Sequence, residues 1–296
     1  MNFRFLFILI LLYFYSNSIC GNNADSTYIN KNRVFLVSSS MALSMGASYL
    51  YIKNAWWNDV SRDFHFDPGN DLVYALNVDK AAHFLGGVYS SDLFSTSFKW
   101  AGLKDKKSIW YGALFGTGIQ MAIELKDAYA PYWGFSKWDL AIGSAGSFWP
   151  VAQYYSKSAN AINFKFSYFK RSDIYWQLDS QRGKDTYKFS WQDDYPNQTY
   201  WASFDLNHFI DTDVIPPWLD LAVGFGLDDT QYLDEGGTKM GGNPEYYIAL
   251  DYDIMEILKK WDSSFAKKVK FMLKYIKLPA PTIRFAPELK VYPFFM

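Results

Sequence analysis

Residues 79–83 read DKAAH, residues 124–127 read ELKD and residues 133–139 read WGFSKWD. These motifs lie in a part of the chain where charged residues are scarce and Gly, Ala and aromatic residues are common. Residues three or four positions apart share one face of a helix, and a buried charge needs a partner. The sequence therefore predicts one buried polar cluster inside a helix bundle, formed by Asp79, Lys80, His83, Glu124, Asp127 and Asp139.

The composition disfavours one class of partner and leaves another open. The chain has 296 residues and a formal net charge of -1, and it gives no sign of the concentrated basic surface that nucleic-acid binding requires. Half of the residues are hydrophobic and 20% are aromatic, which is enough for a large core. Aromatic rings favour membrane interfaces and also β-rich cores, so membrane lipid is an expected partner, and protein partners stay open.

The N-terminus is typical of a secretory signal. Arg4 provides a basic region, residues 5–15 form an apolar run, and small residues follow up to Cys20. We expect residues 1–20 to be removed during export. Lipidation of Cys20 is the alternative, and the bulky Ile19 before it disfavours that modification. Because Cys20 is the only cysteine, the mature chain forms no intrachain disulfide.

The periodicity of apolar residues changes near Asn160. We expect a linker over 21–32, a helical domain over 33–158 and a strand-rich domain over 159–296. The helical domain contains long uncharged runs with small residues, such as Gly112 and Gly116, that let helices approach closely. The pattern favours a bundle of about four apolar helices, embedded in or associated with a membrane, over a tightly packed soluble bundle. The expected helices are Val34–Ile52, Asp79–Trp100, Ser108–Ala130 and Trp138–Ser156.

The strand-rich half alternates apolar and polar residues with a period of two, which predicts antiparallel strands. Strands that face lipid and strands that face a core alternate in the same way, so the pattern does not choose between them. One Lys-rich amphipathic helix is expected over 254–277, either against an anionic membrane surface or covering the sheet. The fold class is thus α+β. The expected strands cover 164–168, 174–178, 187–191, 200–206, 219–227 and 246–252, with a strand pair at the C-terminus.

The three motifs together resemble the signature of the YfiM-like bacterial proteins of unknown function and, more distantly, that of VanZ-like membrane proteins. Residues 198–201, 217–226 and 278–281 resemble the strand-rich half of the longer YfiM-like members. The resemblance implies an exported protein of the bacterial cell envelope, membrane-associated on the periplasmic side or at the outer membrane. It implies a shared polar cluster and no particular reaction. Gly143 stands where the family usually carries Asn.

The polar cluster has an enzymatic interpretation. His83 suits general base or nucleophilic catalysis near neutral pH, and Asp79 or Glu124 would orient its ring. Lys80 would stabilise an anionic group such as a phosphate. This arrangement fits a hydrolase or group transferase that acts on a lipid or cell-wall precursor. A divalent metal is a further alternative, with one nitrogen and several oxygen ligands from His83, Glu124, Asp127 and Asp139.

The cluster also has a structural interpretation. Lys80 would pair with Glu124 or Asp139, and the network would lock the helices in register. Binding of a lipid headgroup without turnover is the intermediate case. Ser136 is predicted to cap the helix that follows it, with Asp139 as an acidic residue in the first turn.

Overall fold

A computed structural model describes residues 29–40, 43, 63–69, 71–130, 133–182, 194–210 and 214–295. The predicted signal peptide over 1–20 lies outside the described residues. So do most of the linker, the greater part of the predicted helix Val34–Ile52, and the predicted strand over 187–191.

Helices dominate the first half of the chain and strands the second. The helices are α1 (31–40), α2 (Val78–Trp100), α3 (Asp105–Asp127), α4 (Lys137–Tyr155), α5 (Lys157–Asn160), α6 (Ile174–Gln181), α7 (Leu206–Phe209), α8 (Ile254–Ile257) and α9 (Ser264–Leu273). The strands are β1 (Ile162–Tyr168), β2 (Gln198–Asp205), β3 (Leu219–Leu227), β4 (Gln231–Leu233), β5 (Lys239–Gly241), β6 (Pro244–Tyr252), β7 (Ala280–Ala286) and β8 (Lys290–Phe295).

The chain divides into two compact units that do not follow its order. The helical unit comprises Met1–Asp67, Gly86–Val151 and Trp261–Val269. The sheet unit comprises Pro68–Leu85, Ala152–Lys260 and Lys270–Met296. The predicted domains, 33–158 and 159–296, stay predictions about which parts fold independently.

Close backbone approach characterises the helical unit. A Cβ atom at Gly112 of α3 would lie 2.1 Å from Oγ of Ser95 in α2. A Cβ atom at Gly87 of α2 would lie 2.1 Å from the carbonyl oxygen of Gly143 in α4. Only glycine fits at such distances, so the small residues noted in the sequence pack α3 and α4 against α2.

The predicted fold class is wrong in its membrane-embedded helix bundle. The structure is α+β with an antiparallel sheet, but no described helix is both long and apolar enough to cross a membrane. The physical reason is visible in α3 and α4. Their uncharged runs are shorter than the about 20 residues that a membrane span needs, and Ser, Gly and Gln dilute them.

The main sheet is antiparallel throughout, in the order β1-β2-β3-β6-β7-β8, and β4 and β5 form a separate hairpin. The segment after α9 adds to the free edge of β1. Phe166 donates its backbone N–H to the carbonyl of Tyr275 at 2.8 Å and accepts one from Lys277 at 2.9 Å. The strands predicted over 164–168, 200–206, 219–227 and 246–252 all fall on strands of this sheet.

The main sheet is strongly curved. In a flat sheet, β1 and β6 would lie about 14 Å apart, three steps of about 4.8 Å. Yet Nζ of Lys165 in β1 lies 2.6 Å from Oδ2 of Asp251 in β6. The rings of Trp201 in β2 and Phe295 in β8 are also only 6.1 Å apart between centroids. We call the face that carries these side chains the concave face, and the opposite face the convex face.

Two local predictions in the strand-rich half are wrong. Residues 174–178 form part of α6 and not a strand, because Tyr175, Leu178 and Asp179 recur at helical spacing and are buried together. The single helix predicted over 254–277 is two helices, α8 and α9. The side chain of Asp253 caps α8, and that of Ser263 accepts a hydrogen bond from the N–H of Ala266 in α9.

Two glycines of α3 provide a matched test of the close helix packing. Gly112→Ala should lower the free energy of unfolding by about 1–3 kcal/mol, because the new methyl group collides with α2. Gly118→Ala should raise it by about 0.5–1 kcal/mol, because nothing lies within 4 Å and alanine favours helix. Urea unfolding in mild detergent measures both changes. Equal effects of the two substitutions would contradict the packing described.

Candidate functional site

The residues of the predicted polar cluster are divided between the two units. Asp79, Lys80 and His83 belong to the sheet unit, in the first two turns of α2. The helical unit contains the others: Glu124, Asp127, Ser136 and Asp139. A joint cluster, the predicted pairing of Lys80 with Glu124 or Asp139, and the metal alternative combine residues of both units and stay predictions. Each group is described within its own unit.

Lys80 is the centre of the group in the sheet unit. Its buried amine contacts the carboxylates of Asp71 and Asp79, the latter at 3.0 Å, and donates to the carbonyl of Asp71 at 3.0 Å. Both carboxylates are nearly buried as well. His83 follows one turn later and is half-buried. A buried amine with two buried carboxylates satisfies its charge locally, which is the arrangement that burial demands.

An unusual backbone turn precedes α2 and holds Asp71 near Lys80. Ala75, Leu76 and Asn77 all have positive φ, at 46°, 50° and 66°. Left-handed backbone costs non-glycine residues roughly 1–2 kcal/mol each. Burial of Ala75 and Val78 against Leu227 of β3 offsets this cost. Packing against the sheet thus fixes the turn that brings the acidic residue back to the lysine.

Glu124 is the centre of the group in the helical unit. Its buried carboxylate accepts a hydrogen bond from the backbone N–H of Ser136 at 2.9 Å. The hydroxyl of Ser136 in turn accepts one from the N–H of Asp139 at 2.8 Å, which confirms the predicted helix cap. Glu124 therefore ties the last turn of α3 to the start of α4. Asp127, one turn of α3 later, is half-buried.

The concave face of the sheet buries a second group of charges. Asp251 of β6 lies between two lysines, with Nζ of Lys165 at 2.6 Å and Nζ of Lys277 at 3.7 Å. Lys165 also donates to the carbonyl of Tyr252 at 2.8 Å, and Lys277 to that of Leu250 at 2.8 Å. All three charged side chains are at most 4% exposed. This group joins β1, β6 and the segment after α9.

Two members of the concave face have displaced pKa values. Burial raises the pKa of Asp220 to about 7, against the attraction of Lys165 and with the repulsion of the nearby carboxylates. Burial also lowers the pKa of Lys277 to about 8, although Asp251 acts in the opposite direction. The Asp220 carboxyl lies 3.2 Å from the hydroxyl of Ser203. Near neutral pH the concave face can therefore exchange protons with little change in free energy.

A third group of charges lies at the other end of the concave face. Glu245 of β6 is buried and contacts two arginines, Arg171 and Arg284, the latter at 2.6 Å. The hydroxyl of Tyr247 donates to Glu245 at 2.8 Å, and burial raises the pKa of that hydroxyl above its ordinary value. Arg171 also donates to the carbonyl of Leu227 at 2.8 Å. Every charge in this group has a partner of opposite sign.

The convex face is apolar. One row of paired residues crosses all six strands and contains no polar side chain: Phe164, Ala202, Val223, Ile248, Ile283 and Val291. The start of α2 covers one end of this face, where Phe84 packs on Phe164 with ring centroids 4.6 Å apart. Val223, Ile248 and Val291 remain 45%, 39% and 67% exposed. The sheet therefore buries its charges and exposes its apolar residues.

Reasoning from sequence missed the groups on the concave face. The signal was present, because Lys165, Asp220 and Asp251 each stand between two apolar strand residues. Alternation places such residues on one face but does not say whether that face is buried. Lys165, Asp220 and Asp251 could have been recognised as one buried group only if the register of the paired strands had been known.

Comparisons with known proteins assign no class to this arrangement, because no family model, curated protein or solved structure matches the chain.

The Lys80 group can be tested by a double-mutant cycle. Lys80→Met should lower the free energy of unfolding by about 3–5 kcal/mol, because it removes the amine that both buried carboxylates contact. Combining it with Asp71→Asn should cost less than the sum of the single changes, because each single change removes the same ion pair between Lys80 and Asp71. The exposed pair Lys99 and Asp105, at 3.4 Å, is the control and should couple by about 0.2–1 kcal/mol. Equal coupling in both pairs would contradict the burial of Lys80.

The concave face predicts a particular dependence of stability on pH. The raised pKa of Asp220 adds stability that is complete below pH 3.8 and is lost as the pH rises to about 7. The lowered pKa of Lys277 adds stability that is complete above pH 10.5 and is lost as the pH falls to about 8. The titration of Asp220 and Lys277 should therefore contribute least to the free energy of unfolding between about pH 7 and pH 8.

Substitution of Asp220 tests the part of this pH dependence that lies below about pH 7. Urea unfolding between pH 4 and pH 7 should show a shallower decline for Asp220→Asn than for the unmodified chain. Asp229→Asn is the matched control, because Asp229 is exposed. If Asp220→Asn and the unmodified chain decline with the same slope, Asp220 does not titrate as described.

Proposed function

We propose that the chain is an exported bacterial envelope protein that associates with membrane lipid through the convex face of its sheet. The buried polar groups stabilise the fold and perform no reaction in this proposal. The single observation that carries it is the apolar row across the sheet, which is exposed at Val223, Ile248, Ile283 and Val291, opposite a face that holds the charges. The predicted signal peptide and the resemblance to YfiM-like proteins support the envelope location.

The dimensions of the convex face support contact with lipid. Along β3 and β6, four successive paired rows are apolar or aromatic: Phe225 with Tyr246, Val223 with Ile248, Leu221 with Leu250, and Leu219 with Tyr252. Rows two residues apart are separated by about 7 Å, so the apolar band extends about 20 Å along the strands. Such a band can extend well into the apolar part of a membrane.

Aromatic residues at both ends of the band support the same conclusion. Phe225 and Tyr246 stack at one end with centroids 5.5 Å apart. Trp218 and Tyr252 lie together at the other end, 6.1 Å apart. Tyr and Trp are enriched where apolar chains meet headgroups, because each ring has an apolar body and a polar group.

The absence of charge distinguishes this surface from a protein interface. Contact surfaces between proteins usually have a polar rim that carries charges around an apolar centre. The convex face has no charged residue at the positions that β1, β2, β3, β6 and β7 contribute to it. The charges of these strands lie on the concave face, where Lys165, Glu245 and Asp251 are buried. Lipid is therefore the occupant that we propose.

The internal pairing of the polar groups supports a structural role for them. Lys80 and Glu124 have partners inside their own units, an ion pair in one case and a backbone N–H in the other. A headgroup site and a hydrolase or transferase based on His83 stay predictions from the sequence.

Flotation with lipid vesicles tests the proposal. The unmodified chain should float with vesicles, and Ile248→Lys should reduce the floated fraction. A lysine on a lipid-facing strand costs roughly 1–4 kcal/mol, according to depth, and about 1.4 kcal/mol corresponds to a tenfold change in partition. We therefore expect a loss of about tenfold at the middle of the band.

Asn160→Lys is the control, because it adds the same charge at an exposed position that belongs to α5 and not to a strand. Circular dichroism should show that both variants fold. Failure of the unmodified chain to float, or equal loss in the two variants, would overturn the proposed function.

A further inference from the structure

One end of the helical unit carries a cluster of basic side chains. The backbone N–H of Asn30, just before α1, donates to the carbonyl of Ala101 at 3.1 Å. The side chain of Arg33 donates to the carbonyl of Trp100 at 3.1 Å. The start of α1 therefore lies against the turn between α2 and α3. We call the exposed basic residues of these segments the basic end: Lys31, Arg33, Lys99, Lys104, Lys106 and Lys107.

The basic end has a large excess of positive charge. Within residues 29–40 and 96–111, the only acidic residue is Asp105. Its carboxylate lies 3.4 Å from Nζ of Lys99, and both side chains are exposed. Six basic groups beside one carboxylate create a positive potential at this surface, which attracts anions and weakens as the salt concentration rises.

The exposed side of α3 beyond the basic end is apolar and broad. Residues 108–123 contain no charged residue, and at 1.5 Å per residue this stretch is about 24 Å long. Six large apolar residues of this side are exposed: Trp110, Tyr111, Leu114, Phe115, Met121 and Leu125. They spread over about 140° of the helix circumference. A surface this wide suits a fluid layer of lipid better than a contact with one helix.

Charge, aromatic rings and aliphatic side chains follow one another along α3 in the order of a membrane interface. Lys106 and Lys107 lie in the first turn. Trp110 and Tyr111 follow about 5 Å further along the axis, and Leu114 lies about 5 Å beyond them. At a membrane surface, lysine amines lie near the phosphates, Trp and Tyr lie at the headgroup level, and aliphatic side chains lie deeper. Contact to a depth of about 5–10 Å would cover this stretch.

We propose that the basic end and the adjoining exposed side of α3 bind the surface of an anionic phospholipid membrane. Clusters of about four to eight Lys or Arg residues beside an apolar helix surface are typical of such contacts. The positive charge selects an anionic headgroup. The exposed apolar side needs an apolar layer beneath that headgroup, which a nucleic acid or a free phosphate does not provide. This contact concerns the helical unit and does not depend on the lipid contact proposed for the convex face.

Flotation with two kinds of vesicle tests the inference. One kind contains phosphatidylcholine alone, and the other contains equal parts of phosphatidylcholine and phosphatidylglycerol. The unmodified chain should bind the anionic vesicles more strongly, and the difference should disappear at about 1 M salt, where the screening length is about 3 Å. Lys106→Gln combined with Lys107→Gln should reduce partition to the anionic vesicles by about 25-fold, because each lysine near an anionic surface contributes about fivefold.

Lys157→Gln combined with Lys260→Gln is the matched control, because it removes the same charge from exposed positions of the sheet unit. Leu114→Gln should reduce partition to both kinds of vesicle by about tenfold, because Leu114 contributes apolar contact and no charge. Circular dichroism should show that all variants fold.

Equal flotation with the two kinds of vesicle, or equal loss in the two double variants, would overturn the inference. Release by phosphate at a lower ionic strength than by chloride would also overturn it, because that result indicates a discrete phosphate site. If flotation depends on lipid charge and not on Ile248, the proposal for the convex face fails and this inference stands. If flotation depends on Ile248 and not on lipid charge, the reverse holds.

Discussion

Asp251 is the residue on which the form of the sheet depends most. Its carboxylate holds Lys165 from β1 and Lys277 from the segment beside β1, so one acidic group of β6 joins two segments that lie three or more strands away in the sheet order. Burial lowers the pKa of Lys277 and the nearby charge of Lys165 acts in the same direction, whereas the attraction of Asp251 opposes both. Such a group of charges adds little net stability compared with apolar packing. A shifted strand register, however, would bury a charge away from its partner, which is costly. We regard it as the element that specifies how far the sheet curves.

Curvature and charge explain each other in this sheet. The concave face is too narrow for large apolar side chains at every position, and small residues such as Ala222 and Ala249 stand between the charged ones. Trp201, Tyr247 and Phe295 fill the remaining space with rings 4.8 to 6.1 Å apart. The charged residues of these strands occupy positions on the concave face. In a pattern that alternates polar and apolar residues, the apolar residues then fall on the convex face.

The sequence predicts where helices and strands occur more reliably than it predicts which face of the sheet is buried. Strands β2, β3 and β6 could be located because seven or more alternating residues leave little ambiguity about local structure. The runs at 164–168 and 174–178 are equally short, so alternation alone does not separate strand β1 from helix α6. The helical spacing of Tyr175, Leu178 and Asp179 identifies α6 as a helix. The partners of Asp251 could not be predicted, because they come from residues 86 positions before it and 26 after it, counted from Lys165 and Lys277. Only the strand register brings them together. By contrast, Ser136 and Asp139 are close in sequence, and their capping contact was predictable from sequence alone.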